Sequence, residues 1–242
     1  MTWHEWQDAP WGRLRYALAE ANLSRHLTDH ATVLDLGGGN GVDAARLATR
    51  GFHATVVDRS PEMLADLPDR VTGVEADIAT ADLGTFDVVL LHNVIQYDPS
   101  LLAPAIAAVR PGGLISVIAL NRHAVPLVTA VRSTPAAALA TLDQPTQRTE
   151  LFDTDIQLFT AEEITDRLSA LGCTPLAHYG IRAVCDYIAD DTSKHANYAD
   201  LERLELALTA RSPYRDLARM FHVIARRDNS MSPRPVASAD PG

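Results

Sequence analysis

The stretch Asp35-Leu36-Gly37-Gly38-Gly39-Asn40-Gly41, preceded by the apolar run Ala31-Thr32-Val33-Leu34, decides the reading of this chain. A short apolar run that ends in glycines reads as a buried strand entering a tight turn. The glycines permit the turn and let a ligand approach the backbone. A helix expected over 42–51 then presents its free N–H groups to ligand polar atoms. The next strand, expected over 53–60, carries Asp58 near its end, where a carboxylate can accept hydrogen bonds from both hydroxyls of a ribose. Two cofactors compete for such a geometry. A dinucleotide fingerprint requires G-x-G-x-x-G; Gly37 and Gly39 fit, but the third position is Val42. Asp35, two residues ahead of the first glycine, would repel a phosphate and attract the ammonium of a methionine moiety. The loop therefore favours S-adenosylmethionine over NAD, with a glycine turn that binds nothing as the bland alternative.

The rhythm around the loop agrees. Helical spacing marks residues 1–30, with Leu14, Leu18 and Ala21 followed by Leu23 and Leu27. Beyond the second strand come a short helix opened by Pro61, a third strand over 71–78 and a fourth over 86–94. A helix over 100–110 is expected to end at Pro111-Gly112-Gly113, read as a turn, before a fifth strand over 113–120. Alternating strands and helices predict an α/β fold with a doubly wound, mostly parallel sheet. Residues 122–158 break the rhythm and read as an insertion of helices and loop. Thr160 with Glu163 forms a capping box for a helix that stops at Gly172. Two further strands, over 174–184 and 218–227, flank a polar helix around 195–211. The expected organisation is an N-terminal helical segment (1–30), a main domain (31–227) and a disordered tail (228–242) rich in Ser, Pro, Ala and Asp.

Bulk properties narrow the function. At 242 residues the chain suits one globular domain with modest additions. Its net charge of −10 argues mildly against a substrate held mainly through phosphates, although net charge does not report a local basic patch. Lys194 is the only lysine. No apolar run reaches membrane-spanning length, and the start of the chain lacks the pattern of a secretory signal. Cys173 and Cys185 have no metal or disulfide spacing and read as core or surface thiols, which fits a cytoplasmic protein. Trp3, Trp6 and Trp11 could close over a cofactor or pack as plain core.

Other positions join the loop. Asp77 follows the third strand, where an acid can meet an adenine amino group; its bland reading is a solvated or capping acid. His92 ends the fourth strand facing the crevice, a place where a lone histidine is more often structural than catalytic.

The chain resembles the class I S-adenosylmethionine-dependent methyltransferases, which have a seven-stranded Rossmann-like sheet. In more detail it is similar to the tRNA 5-carboxymethoxyuridine methyltransferase family, over about residues 10–227. The pieces that carry this are GRLRYAL at 12–18, LDLGGGNG at 34–41, FDVVLLHNVIQY at 86–97, RPGG at 110–113, NRHAVPL at 121–127, GIRAVCDYI at 180–188 and SPYRDLARMFHVIARR at 212–227. The resemblance implies S-adenosylmethionine as cofactor, with Arg15, Gly37, Gly38, Asp58 and His92 at its site; Ala76 and Asp77 match an adenine-contact segment less closely. Gly39 and Asp35 join them by the loop reading. It also implies methylation of the carboxylate of a modified wobble uridine in tRNA.

A carboxylate is ionised at neutral pH and needs no general base, only alignment with the methyl group. An arginine could orient it in a bidentate pair; Arg122, Arg182 and Arg219 are candidates, with Arg182 and His92 taken as the catalytic pair. Tyr187 and Tyr214 could stack on a base. For a phenol or amine acceptor, His92 or His123 would be the first bases to consider. Each of these residues, taken singly, is more often surface or structural. The acceptor therefore stands open between tRNA and a small molecule, with a non-catalytic cofactor-binding protein as the third reading. No metal is expected.

Overall fold

A computed structural model describes residues 2–149, 153–188 and 190–229. Helices α1 (Trp3–Asp8) and α2 (Pro10–Leu23) precede β1 (Thr32–Leu36). The glycine loop leads into α3 (Val42–Ala48), and β2 (His53–Asp58), α4 (Pro61–Leu64), β3 (Val71–Glu75) and β4 (Phe86–His92) follow. Next come α5 (Leu102–Ala107), β5 (Val109–Leu120), α6 (Ala124–Arg132) and α7 (Pro135–Leu139). Strands β6 (Thr146–Thr149) and β7 (Thr154–Gln157) form a hairpin. The chain continues through α8 (Ala161–Ala170), β8 (Cys173–Ile181), α9 (Asp191–Ala196), α10 (Tyr198–Leu208) and β9 (Met220–Arg227).

Seven strands form one sheet in the order β3-β2-β1-β4-β5-β9-β8. Strand β9 runs antiparallel to both neighbours, and the other pairs are parallel. The order turns back on itself at β1 and β4, so a crevice opens at their C-terminal ends.

Period-two alternation sorts the strand side chains onto two faces. Leu34, Leu36, Val89 and Leu91 join the cluster with α5 and α8, including Ile106, Ile164 and Leu168. Val33, Val88 and Leu90 join the opposite cluster with Leu23 of α2 and Leu47 of α3. Truncating Leu34, which is fully buried, would cost about 2–5 kcal/mol. A third cluster seats α2 and α10 on the sheet through Leu14, Leu18, Ile118, Ile181 and Leu201.

Two local expectations are corrected. Pro111-Gly112-Gly113 does not interrupt the chain before β5. The strand begins at Val109 and runs through it, with a register shift opposite Phe86 and Val88. The backbone passes so close there that a Cβ on Gly113 would sit 2.8 Å from the Asp87 carbonyl oxygen. In residues 122–158 the helices α6 and α7 are present, but the rest includes the β6–β7 hairpin rather than loop alone. Its strands are short and mostly polar, so they leave no hydrophobic period to read. The capping box on α8 forms with both hydrogen bonds in place. Most of the expected disordered tail, residues 230–242, lies outside the described residues. Among the described residues, no helix is long and apolar enough to cross a membrane.

Candidate functional site

A cleft of about 940 Å³ opens at the C-terminal ends of the parallel strands, within the range of ligand sites. It brings together Arg15, Asp35, Gly37, Gly38, Gly39, Asp58, Ala76, Asp77, His92 and Arg182, the residues assigned from sequence to the cofactor and to the catalytic pair. They come from four elements, α2, β1, β2 and β4, and from the loops that follow β1, β3 and β8.

The loop after β1 is built by local geometry. Gly37 and Gly39 have φ of 67° and 57°, where a Cβ is strained. Gly38 is required for a different reason: a Cβ there would lie 2.6 Å from the Asp35 carboxyl carbon. Asp58 clamps the turn, its Oδ2 accepting from Gly39 N at 2.9 Å and its Oδ1 from Ser60 N at 2.9 Å. Each oxygen keeps a lone pair for a ligand hydroxyl. Ala76 is tied to the end of β2 by its N–H, 3.1 Å from Asp58 O. Asp77 is exposed and its Oδ1 accepts from Ala79 N at 2.9 Å, so it caps its own turn at the cleft rim.

The residue that sequence reading missed is Asp43, in the first turn of α3. Its Oδ2 accepts from Arg15 and from His92 Nδ1 at 2.9 Å. His92 Nε2 lies 2.8 Å from Ser116 Oγ, which lies 2.7 Å from His222 Nε2. With Asp43 ionised, the donors have one consistent direction: His92 donates to Asp43, Ser116 to His92 and His222 to Ser116. That leaves His222 Nδ1 as a bare acceptor, and it is buried with no hydrogen-bond partner. Both imidazoles stay neutral because burial pushes their pKa values down, His222 well down. The signal for Asp43 was its place beside a glycine loop at a helix N-terminus, but which residues it holds depends on α2 and β4.

Two carboxyls, Asp35 and Asp43, share this buried corner. Burial alone would raise both. Arg15 and His92 overcome it at Asp43, whose pKa is held below the usual range. Asp35, desolvated beside the Asp43 charge, is pushed up to about 8. In the free protein near neutral pH it is largely protonated, and a cation brought beside it would ionise it. Arg15, itself buried, keeps a buried Nε without a partner. A glycine cradle, an acid awaiting a cation and a spare guanidinium N–H fit the ribose, ammonium and carboxylate of S-adenosylmethionine.

The opposite wall is basic. Arg182 follows β8 at φ 64°, one of four described non-glycine residues with positive φ. Asn93, after β4, is another that lines the cleft. Such strain persists where surrounding structure over-determines it, and it concentrates at sites. Arg182 grips Asp186 through both Nε (2.7 Å) and a terminal nitrogen. Arg219 also lines the cleft, its Nε 4.0 Å from Asp186 Oδ1. The other candidates stand elsewhere. Arg122 pairs with Glu163, His123 and Tyr214 are exposed, and Tyr187 donates its hydroxyl to Leu217 O. Trp3 and Trp6, stacked with centroids 5.4 Å apart, line the cleft, whereas Trp11 lies under Lys194 Nζ. Among the described residues no cluster of His, Cys, Asp or Glu is placed to hold a metal ion.

The model of the methyltransferase domain family matches residues 5–178. The chain belongs to this family. It is a class I S-adenosylmethionine-dependent methyltransferase, and S-adenosylmethionine is its cofactor. The tRNA 5-carboxymethoxyuridine methyltransferase of Escherichia coli O157:H7 is 28% identical over 243 residues, covering 90% of each chain. The trans-aconitate 2-methyltransferase of Azoarcus sp. is 33% identical over 151 residues, 58% of this chain and 60% of that one. Among solved structures, a SAM-dependent methyltransferase from Thermotoga maritima superposes with a TM-score of 0.63 at 16% identity, covering 93% of this chain and 94% of that one.

Proposed function

We propose that this methyltransferase transfers its methyl group to a carboxylate, and that the carboxylate belongs to a modified wobble uridine in tRNA. The observation that supports the reading is the likeness to the tRNA enzyme, which covers 90% of each chain rather than the cofactor-binding half alone. A relative matched over a shorter stretch is a trans-aconitate 2-methyltransferase, and trans-aconitate is itself a carboxylate.

Bound S-adenosylmethionine supplies an activated methyl on a positive sulfur. In this reading the chain's residues divide the remaining work. Asp58 takes the ribose hydroxyls while its existing bonds hold the glycine loop. Asp35 would pair with the ammonium, releasing its proton to solvent as the cation takes its place beside it. Arg15, braced by Asp43, faces the methionine carboxylate. His92 acts as a brace rather than a base, since both ring nitrogens are already bonded. An ionised carboxylate acceptor needs no proton removed, so alignment is the main demand on the protein.

The test incubates the protein with labelled S-adenosylmethionine and either bulk tRNA or a small-metabolite extract of the same cell. The reading expects label in tRNA as a base-labile ester. Label in small molecules alone sinks it.

A further inference from the structure

We infer that Arg219, rather than the ion-paired Arg182, is the residue that selects a carboxylate acceptor, by supplying the free guanidinium face of the cleft. This deepens the proposed function and rests on it for the acceptor's identity, though not for the presence of an anion site.

Three guanidiniums, those of Arg132, Arg182 and Arg219, act on the buried carboxylate of Asp186. Arg182 takes both of its oxygens, one through Nε and one through a terminal nitrogen, so its fork is already filled. Arg132 spends its hydrogen bonds on the backbone oxygens of Asp186 and Ile188. Arg219 is left at 4.0 Å, beyond hydrogen-bond reach, and its side chain makes no hydrogen bond among the described residues. That side chain is only 16% exposed. Desolvation pulls its pKa below the usual arginine value, although a guanidinium stays charged regardless. A mostly buried cation with unfilled donors is costly unless something pairs with it.

The backbone holds this cation in place. Arg219 N donates to Arg182 O at 3.0 Å, and Arg219 O accepts from Asn121 N at 3.0 Å. The residue is thereby pinned between the ends of β8 and β5. Glu205 of α10 secures the turn behind it, accepting from the N–H groups of Ala183, Val184 and Cys185 at 2.6, 3.0 and 2.8 Å. Arg182 and Asp186 thus form a fixed support, and Arg219 is the donor set left facing the cleft. A guanidinium offers parallel N–H groups that match a carboxylate bidentately. The chemistry that completes the wall is a planar carboxylate.

The test follows the Arg219 Nε–Hε resonance in ¹⁵N-labelled protein saturated with S-adenosylhomocysteine, assigned by its loss in Arg219→Lys. The probes are the nucleoside 5-carboxymethoxyuridine, uridine as neutral control, and trans-aconitate as an unrelated carboxylate. The inference expects a saturable shift with 5-carboxymethoxyuridine and none with uridine. Arg219→Met should bind 5-carboxymethoxyuridine about 10- to 100-fold more weakly, the usual loss for one charged hydrogen-bonding group. Its affinity for S-adenosylhomocysteine should be unchanged, which also shows that the variant is folded. A shift with trans-aconitate but not with 5-carboxymethoxyuridine would keep the anion site and overturn the tRNA reading. If no carboxylate moves the resonance, or if Arg219→Met binds 5-carboxymethoxyuridine as tightly as the parent, the inference falls.

Discussion

The two walls of the cleft carry opposite charge and are built in opposite ways. On the cofactor side, Asp35, Asp43, Asp58 and Asp77 converge on a glycine turn. On the other side stand Arg182 and Arg219, with one buried carboxylate between them. Bound S-adenosylmethionine carries positive charge on its sulfur and ammonium, and the acceptor proposed here is an anion. Each wall therefore has the sign that complements its own ligand. In a low-dielectric cleft such segregation discourages either ligand from occupying the other's place.

The largest expected effect comes from cutting the line that braces the acidic wall. Asp43→Ala would leave Arg15 and His92 buried without their shared partner. Denaturant unfolding should show a loss of about 3–5 kcal/mol, with cofactor binding lost as well. On the basic wall the equivalent cut is Glu205→Ala, which orphans the N–H groups of 183–185. It should cost about 2–3 kcal/mol and raise the acceptor KM while sparing cofactor affinity; equal damage to both would erase the distinction between the walls.

A pH experiment probes the acidic wall more finely. Asp35 holds its proton in the folded state up to about pH 8, whereas the unfolded chain releases it near the ordinary aspartate value. Unfolding between those limits releases a proton, so Asp35 makes the parent lose stability as pH rises through that window. Asp35→Asn lacks this proton. Its stability relative to the parent should rise by up to about 1.4 kcal/mol per pH unit between pH 4 and 8. A flat difference between the two proteins would place Asp35 in a wetter site than described here.

The smallest effect concerns the N-terminal helix. Gln7 and Asn40 exchange two side-chain hydrogen bonds of 2.9 Å, tying α1 to the glycine loop. Gln7→Ala should cost about 1 kcal/mol in thermal or denaturant unfolding and weaken the cofactor by a few-fold, without changing acceptor selectivity.

The walls also differ in how far they could be read from sequence. The cofactor wall rests on contiguous residues: the turn at 37–41 and the strand end at Asp58 fix their own geometry, so a short pattern suffices. Asp43 escaped because its role is written in Arg15 and His92, 28 and 49 residues away. The basic wall is assembled from distant strands. Arg182 and Arg219 looked alike in the sequence, and only the register of β8 against β9, with Asp186 between, separates the filled guanidinium from the unfilled one. The hairpin over 146–157 was invisible for a related reason. Among the described residues of its two strands only Ile156 is buried, which gives no period, and its place is set by Gln157 N donating to Gln96 O.

The most direct test of the divided cleft measures two constants on two variants: the Kd for S-adenosylmethionine by calorimetry, and the KM for tRNA bearing the carboxylated uridine. Asp35→Asn should weaken the cofactor by about tenfold or more, the value of one charge-assisted contact, and leave the acceptor KM within about two-fold. Arg219→Met should do the reverse. If either variant shifts both constants together, the two walls do not serve separate ligands and the account is wrong.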